Sequence, residues 1–222
     1  SLQLQEEKAK VDTLLADLLP VSVTESLKAG KQVAPESFNS VTIMFSDIVS
    51  FTRISSLGTP MDVVHMMNTM FTVIDQVSTS YDVYKIATIG DAYFVASGVP
   101  VPNGDEHAFE ICRMSLELLQ AVNRCTIPHA PGESIKIRIG VHTGPVVAGI
   151  AGIKMPRYML FGDTVDIAQK LEAGGDSSRV HVSKTTVAIL NSKGGFNLER
   201  HSKLLIKGMG EIETFWLQQY DP

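Results

Sequence analysis

Two stretches decide how the chain is read: Val41-Thr42-Ile43-Met44-Phe45-Ser46-Asp47, and Tyr84-Lys85-Ile86-Ala87-Thr88-Ile89-Gly90-Asp91 running on into Ala92-Tyr93-Phe94-Val95. Both are rich in β-branched and aromatic residues and bounded by Gly, Ser and Asp, which predicts buried strands. Each apolar run ends on an aspartate. A hairpin or neighbouring strands would bring Asp47 and Asp91 together. Like charges held close are costly, so a cation is their natural partner. Hard oxygen ligands with open positions suit Mg²⁺ or Mn²⁺ bound along with phosphates. The plainer alternative is a pair of turn-capping aspartates.

Beyond Asp47, the segment Ile48-Val49-Ser50-Phe51-Thr52 leaves the strand in small and polar residues and predicts a helix start. The free N–H groups of such a start can face phosphate. Metal-held phosphate above a strand end, with amides behind it, is a layout for phosphoryl transfer. The chain has no G-x-x-x-x-G-K-[ST], so it is not a P-loop protein.

The rest of the chain fits one domain with an appendage. There are 222 residues, 44% hydrophobic and 19% charged, which describes a globular domain with a real core. A net charge of −5 argues against non-specific nucleic-acid binding. No apolar run has the length of a membrane span, and no signal-peptide pattern occurs. The first residues open inside a helical pattern, which fits a piece cut from a membrane protein. Cys112 falls on a helical apolar stripe and reads as core, and with Cys125 it forms neither metal spacing nor a disulfide framework.

Residues 2–19 are helical in pattern, with Leu4, Val11 and Leu18 recurring at seven and Leu14 between them. That suggests a coiled-coil linker; an ordinary helix packing on its own domain is the alternative. Pro20 interrupts it, and a short helix is predicted over Ser22–Ala29, stopped by Gly30. Thr59-Pro60 is a helix start. Val63, Val64, Met67, Met70, Phe71, Ile74 and Val77 then make its apolar stripe. A second long helix is predicted from Glu106 to Arg124, with Ala108, Ile111, Cys112, Leu118, Leu119 and Val122 inward. Ile135–Val141 alternates like a strand, and Val146–Ile150 is a separate apolar run. Between them Gly140–Gly144 reads as a turn with His142 in a structural role. A helix over Val165–Ala173 closes at Gly174-Gly175. Val180–Ser183, a helix over Lys184–Leu190, and strands at Leu204–Ile206 and Thr214–Leu217 complete the chain. This alternation predicts an α/β sandwich with a mixed sheet, not a doubly wound fold.

Four ordered motifs carry a family resemblance. They are Phe45–Thr52, Thr88–Tyr93, Gly140–Val146 and Met155–Val165. Together they resemble the catalytic domains of class III nucleotidyl cyclases, above all eukaryotic receptor- or rhodopsin-linked guanylate cyclases. The resemblance implies a helical linker over 1–35 and a catalytic domain over 36–222. It also implies the cytoplasmic domain of a membrane receptor or rhodopsin fusion, with two Mg²⁺ or Mn²⁺ ions as cofactors. In such enzymes two catalytic domains share each active site. One supplies metal ligands and phosphate contacts. The other reads the base and stabilises the transition state.

By that resemblance, Asp47 and Asp91 are the metal aspartates and the Ile48 carbonyl completes a metal site. Phe51 and Thr52 offer phosphate-facing backbone, and Arg138 reaches the phosphates with a forked, permanently charged group. Ser50 departs from a family glycine and threatens to crowd the backbone there. The other half of the site departs more widely. Ala87 stands where guanylate cyclases have glutamate, and Met159 where they have cysteine. Neither can match guanine's donors and acceptor. Asp166 replaces an asparagine near the ribose, Lys170 an arginine that stabilises the transition state, and Met209 a phosphate-contacting lysine. Asp166 and Lys170, four apart on a helix, are expected to pair with each other. No catalytic set for the base side is complete in this chain. The resemblance therefore implies a metal-donating subunit that makes cyclic GMP from GTP with a complementary cyclase subunit and is inactive alone. The alternatives are a non-catalytic dimerisation module and a homodimer with unusual base selectivity.

Overall fold

The computed structural model describes residues 2–221. Two helices lead in, α1 (Leu2–Leu18) and α2 (Val21–Lys28). Then β1 (Glu36–Ile48), the short α3 (Phe51–Ser56) and α4 (Pro60–Ser78) precede a hairpin of β2 (Tyr84–Ile89) and β3 (Ala92–Ser97). α5 (Glu106–Asn123) returns the chain to β4 (Ile137–Ala151). With the strands ordered β2-β3-β1-β4, this is a split β-α-β-β-α-β unit. β5 (Arg157–Phe161) folds back on the far half of β4, and α6 (Asp163–Ala173) follows it. β6 (Val180–Ser183), α7 (Lys184–Lys193), β7 (Phe196–Ile206) and β8 (Gly210–Tyr220) extend the sheet beyond β4 in the order β6-β8-β7. β4 and β6 run parallel while the other pairs are antiparallel, so the sheet is mixed, as the sequence predicts.

Strand alternation sorts the core into two faces. Met44 and Ile48 of β1, Tyr93 and Val95 of β3, and Ile137, Ile139 and Val141 of β4 pack with α4, α5 and α7. Val41, Ile43 and Phe45 turn the other way, toward Phe94, Leu160 and Ala168 of α6. Phe45 and Phe94 stack with ring centroids 4.3 Å apart. Asp47 continues the second series, so it emerges on the face that α6 covers.

α4 starts as its sequence predicts. Thr59 caps it in a reciprocal box with Asp62, ahead of Pro60. Its buried stripe, however, is Met66, Met70 and Ile74, and Val64 is exposed. Cys112 is fully buried, and both cysteines are free. The heptad residues Leu4, Val11, Leu14 and Leu18 of α1 are all exposed, so none of them belongs to the core of this chain. No helix among the described residues is long and apolar enough to cross a membrane.

Two expectations need correction, and one strand was not foreseen. Gly140–Gly144 is not a turn: β4 runs through it unbroken, with Gly140 opposite Phe45 and Gly144 opposite Val41. These glycines serve close packing. A Cβ on Gly140 would lie 2.2 Å from the Glu172 backbone N, and one on Gly144 would lie 2.5 Å from Thr164 Oγ1. His142 is thus a strand residue, buried and bonded through Nδ1 to Ser183 Oγ at 2.6 Å. Met155–Val165 contains a strand, β5, that short length and a polar start concealed. Strands β7 and β8 are far longer than their apolar cores, because their outer residues pair in the ladder while facing solvent.

Candidate active site

The β2–β3 hairpin turns at Gly90, whose φ of +61 suits glycine, and sets Asp91 beside the end of β1. Ser46 lies opposite Tyr93, so both aspartates reach the same edge of the fold. The Ile48 N–H donates to Asp91 Oδ2 at 3.2 Å. That bond ties Asp91 to the residue next to Asp47. Burial raises the Asp91 carboxyl above its usual range, and Asp47 adds to this. The backbone N–H bonds from Asp91 itself and from Ile48, and the Arg138 charge, oppose it.

Asp47 faces Arg138 across the β1–β4 ladder. Arg138 Nε donates to Asp47 Oδ1 at 3.2 Å and Nη2 donates to Oδ2 at 3.0 Å, a forked pair. Nη1 donates to the Ala173 carbonyl at 3.3 Å, at the end of α6. The bond to Asp47 is the main reason the guanidinium is held still more firmly protonated than usual.

A residue that sequence reasoning passed over joins this group. Glu172 of α6 is buried, with its Oε1 3.4 Å from Arg138 Nε. That is close enough for charge attraction, yet Oε1 accepts no hydrogen bond. Burial, then the facing Asp47, pushes its pKa up to about 8. The signal was available in the sequence. Thr164, Ile167, Ala168, Leu171 and Glu172 form the buried stripe of α6, and a glutamate on such a stripe calls for a partner. Gly140 makes the contact possible by letting α6 lie directly on β4.

Among the described residues no three His, Cys, Asp or Glu side chains converge as a self-sufficient metal cage. Asp47, Asp91 and the Ile48 carbonyl are instead a sparse, all-oxygen set. Mg²⁺ is typically held in this way, by one or two carboxylates plus water and phosphate oxygens. The unbonded Glu172 Oε1 and the near contact of several carboxylates fit a site that expects further positive charge.

The chain after β1 enters α3 through Ser50, which has φ 58 and ψ 33, in the left-handed region. The concern over Ser50 therefore shifts from crowding to backbone conformation: any side chain there is strained. Phe51 packs against the larger core cluster, and Thr52 is exposed.

The positions expected to read the base join none of the hydrogen bonds or ion pairs of this group. Ala87 and Met159 are half-buried against the second core cluster, where they offer apolar surface. A cleft of about 320 Å³ beside Ala87 is lined by Tyr84, Arg157, Tyr158 and the end of α1. Asp166, Lys170 and Met209 are exposed. The expected Asp166–Lys170 pair is not formed: among the ion pairs of the described residues, none joins them. One turn of helix gives proximity, but an ion pair between solvent-exposed side chains gains too little to hold them together.

Residues 33–219 match the family model described as the adenylate and guanylate cyclase catalytic domain. The chain is 51% identical to guanylate cyclase 2G of Mus musculus over 219 residues, covering 99% of the chain and 20% of that protein. It is also 51% identical to atrial natriuretic peptide receptor 2 of Homo sapiens over 212 residues, covering 96% of the chain and 20% of that protein. The chain thus spans about a fifth of the length of these curated relatives. Among solved structures, the guanylate cyclase domain of RhGC from Catenaria anguillulae in complex with GTP superposes with a TM-score of 0.78 at 34% identity. The match covers 84% of this chain and all of that one.

Proposed function

The chain belongs to the adenylate and guanylate cyclase catalytic-domain family, and we propose that it is the metal-donating half of a heterodimeric guanylate cyclase. Residues 1–35 would serve as its helical linker and 36–222 as the catalytic domain. The observation that carries this reading is the convergence of Asp47, Asp91 and Ile48 at one end of β1, beside Arg138. The base-side positions Ala87, Met159, Asp166, Lys170 and Met209 make none of the bonds of that group and lack the groups guanine reading requires.

In this reading Asp47, Asp91 and the Ile48 carbonyl hold two Mg²⁺ or Mn²⁺ ions. Such ions lower the pKa of the ribose 3′-hydroxyl and neutralise triphosphate charge. Arg138 leaves Asp47 to fork onto phosphate oxygens, and the backbone at Phe51 and Thr52 lines the phosphate path. In this reading Ala87 and Met159 do not select the base, Asp166 does not orient the ribose and Lys170 does not replace the transition-state arginine. A complementary cyclase subunit supplies those groups. GTP as substrate rests on the likeness to the guanylate cyclases named above. A place on the cytoplasmic side of a membrane receptor rests on the natriuretic peptide receptor likeness.

The test is a mixing assay with GTP and ATP in Mn²⁺. This chain alone should turn over neither. Mixed with a cyclase domain carrying Glu, Cys, Asn and Arg at the matching positions, it should produce cyclic GMP. Asp47→Ala in this chain should then abolish activity. Substantial turnover by the chain alone would overturn the divided site and favour a homodimer. Silence in every mixture, with no triphosphate binding, would favour a non-catalytic module.

A further inference from the structure

Both carboxylate oxygens of Asp47 are engaged by Arg138, through Nε at 3.2 Å and Nη2 at 3.0 Å. A cation that binds those oxygens must compete with the guanidinium for them. The structure also holds a second seat for it. Glu172 Oε1 lies 3.4 Å from the same Nε and accepts no hydrogen bond. Nη1 is already bonded to the Ala173 carbonyl, at the C-terminal end of α6 where the helix dipole favours positive charge. A small turn of the rigid guanidinium about that anchor exchanges Asp47 for Glu172.

We infer that Glu172 is a positioning residue of this site: when a divalent cation takes over Asp47, Glu172 holds the Nε edge of Arg138 and so aims its Nη2 at the phosphates. The inference rests on reading Asp47 and Asp91 as metal ligands. It gives the buried glutamate a purpose, since a side-chain oxygen without a hydrogen-bond partner in a closed helix–sheet contact costs stability. The seat is set by backbone, not by side-chain freedom. Any Cβ on Gly140 would strike the Glu172 N and Cα and the Ala168 carbonyl, so the glycine keeps Glu172 at this depth. Without the second seat, Arg138 remains on Asp47 and the binding-competent fraction of the site falls. Apparent affinity falls in proportion.

The test is Mn²⁺ binding by electron paramagnetic resonance, with thermal melting run in parallel. Four proteins are compared: unmodified chain, Glu172→Gln, Arg138→Met and the double variant. Glu172→Gln should weaken Mn²⁺ binding by about 5–10-fold, within the usual range of coupling between sites. Arg138→Met should tighten it, because the competitor for Asp47 is gone. In the Arg138→Met background, Glu172→Gln should cost less than half as many-fold as it does alone. An equal loss in both backgrounds would mean that Glu172 acts on the cation or the fold directly, and would overturn the inference. So would no loss in either. Should Glu172→Gln fail to fold, Arg138→Met decides alone: unchanged or weaker Mn²⁺ binding would overturn it. If the unmodified chain binds no Mn²⁺, the assignment of Asp47 and Asp91 fails first, and the inference with it.

Discussion

Gly140→Ala is the sharpest test of how the fold builds its site. The added methyl would lie 2.2 Å from Glu172 N, 2.6 Å from Ala168 O and 2.7 Å from Glu172 Cα. An ordinary carbon contact begins near 3.4 Å, so the worst overlap is roughly 1.2 Å. All three atoms are backbone of α6, so no side chain can rotate out of the way. Either α6 retreats by about an ångström or β4 bulges. Overpacking of this kind costs about 1–3 kcal/mol, and a clash with backbone belongs in the upper half of that range. The smaller unfolded-state entropy of alanine returns about 0.5–1 kcal/mol. A net loss of about 2 kcal/mol remains, or ~4–8 °C in Tm for a chain of this length. The control is Gly149→Ala on the same strand. Its new methyl would meet only Phe161 Cε2, at 3.7 Å, so stability should stay within about 0.5 kcal/mol. Urea denaturation and thermal melting read both. If the two variants are equally stable, α6 does not owe its position to Gly140, and the placement of Glu172 beside Arg138 needs another explanation.

Two further perturbations follow from backbone and burial. Ser50 sits at φ 58, so Ser50→Gly should stabilise the chain by about 0.5–1 kcal/mol, measured as a higher urea midpoint at unchanged slope. His142 is held neutral by burial, with its pKa pushed down to about 4. The unfolded chain takes that proton near 6.5 while the folded chain refuses it until about 4. The resulting stability is intact above pH 6.5 and drains away as pH falls toward 4, by about 2–3 kcal/mol. His142→Asn, which can keep a bond to Ser183 Oγ, should flatten the pH dependence of urea stability across that window. A slope unchanged from the parent chain would rule out His142 as its source.

What the sequence discloses follows from which forces act locally. The strands around Asp47 and Asp91 are legible because their residues are β-branched and aromatic for most of their length. The start of α4 is legible because Thr59, Pro60 and Asp62 cap it with their own atoms. β4 misleads for a physical reason. Gly140 and the pair Gly144-Pro145 carry the chemistry of turns, yet two of these residues are glycine so that Glu172 and Thr164 can approach the strand. Nothing within a few residues of Gly140 announces α6, which arrives from more than twenty residues away. Val64 and Met66 trade places for a related reason: the helical period is clear, but its phase is set by where α5 and the sheet lie. Glu172 escapes notice because a charge near a helix end usually marks a solvated face. Its helical spacing from the apolar Ile167, Ala168 and Leu171 is the signal that it points inward.

On the proposed reading the departures fall on the base side of the site, and the two faces of α6 bear on why. Asp166 and Lys170 lie on its exposed face, and Met209 is exposed as well. Changes at such positions cost the fold little. Ala87 and Met159 put apolar surface into an apolar cluster, which favours the fold if anything. Stability alone therefore permits every base-side departure. It does not account for what remains on the other side. A partly buried group of Asp47, Asp91, Arg138 and Glu172 is expensive to desolvate, and well-packed apolar residues in its place are often neutral or stabilising. A domain kept only for dimerisation would have no physical reason to hold three carboxylates and an arginine where β1 ends beneath α6. Their presence is explained if the charge is there to meet a cation and a triphosphate.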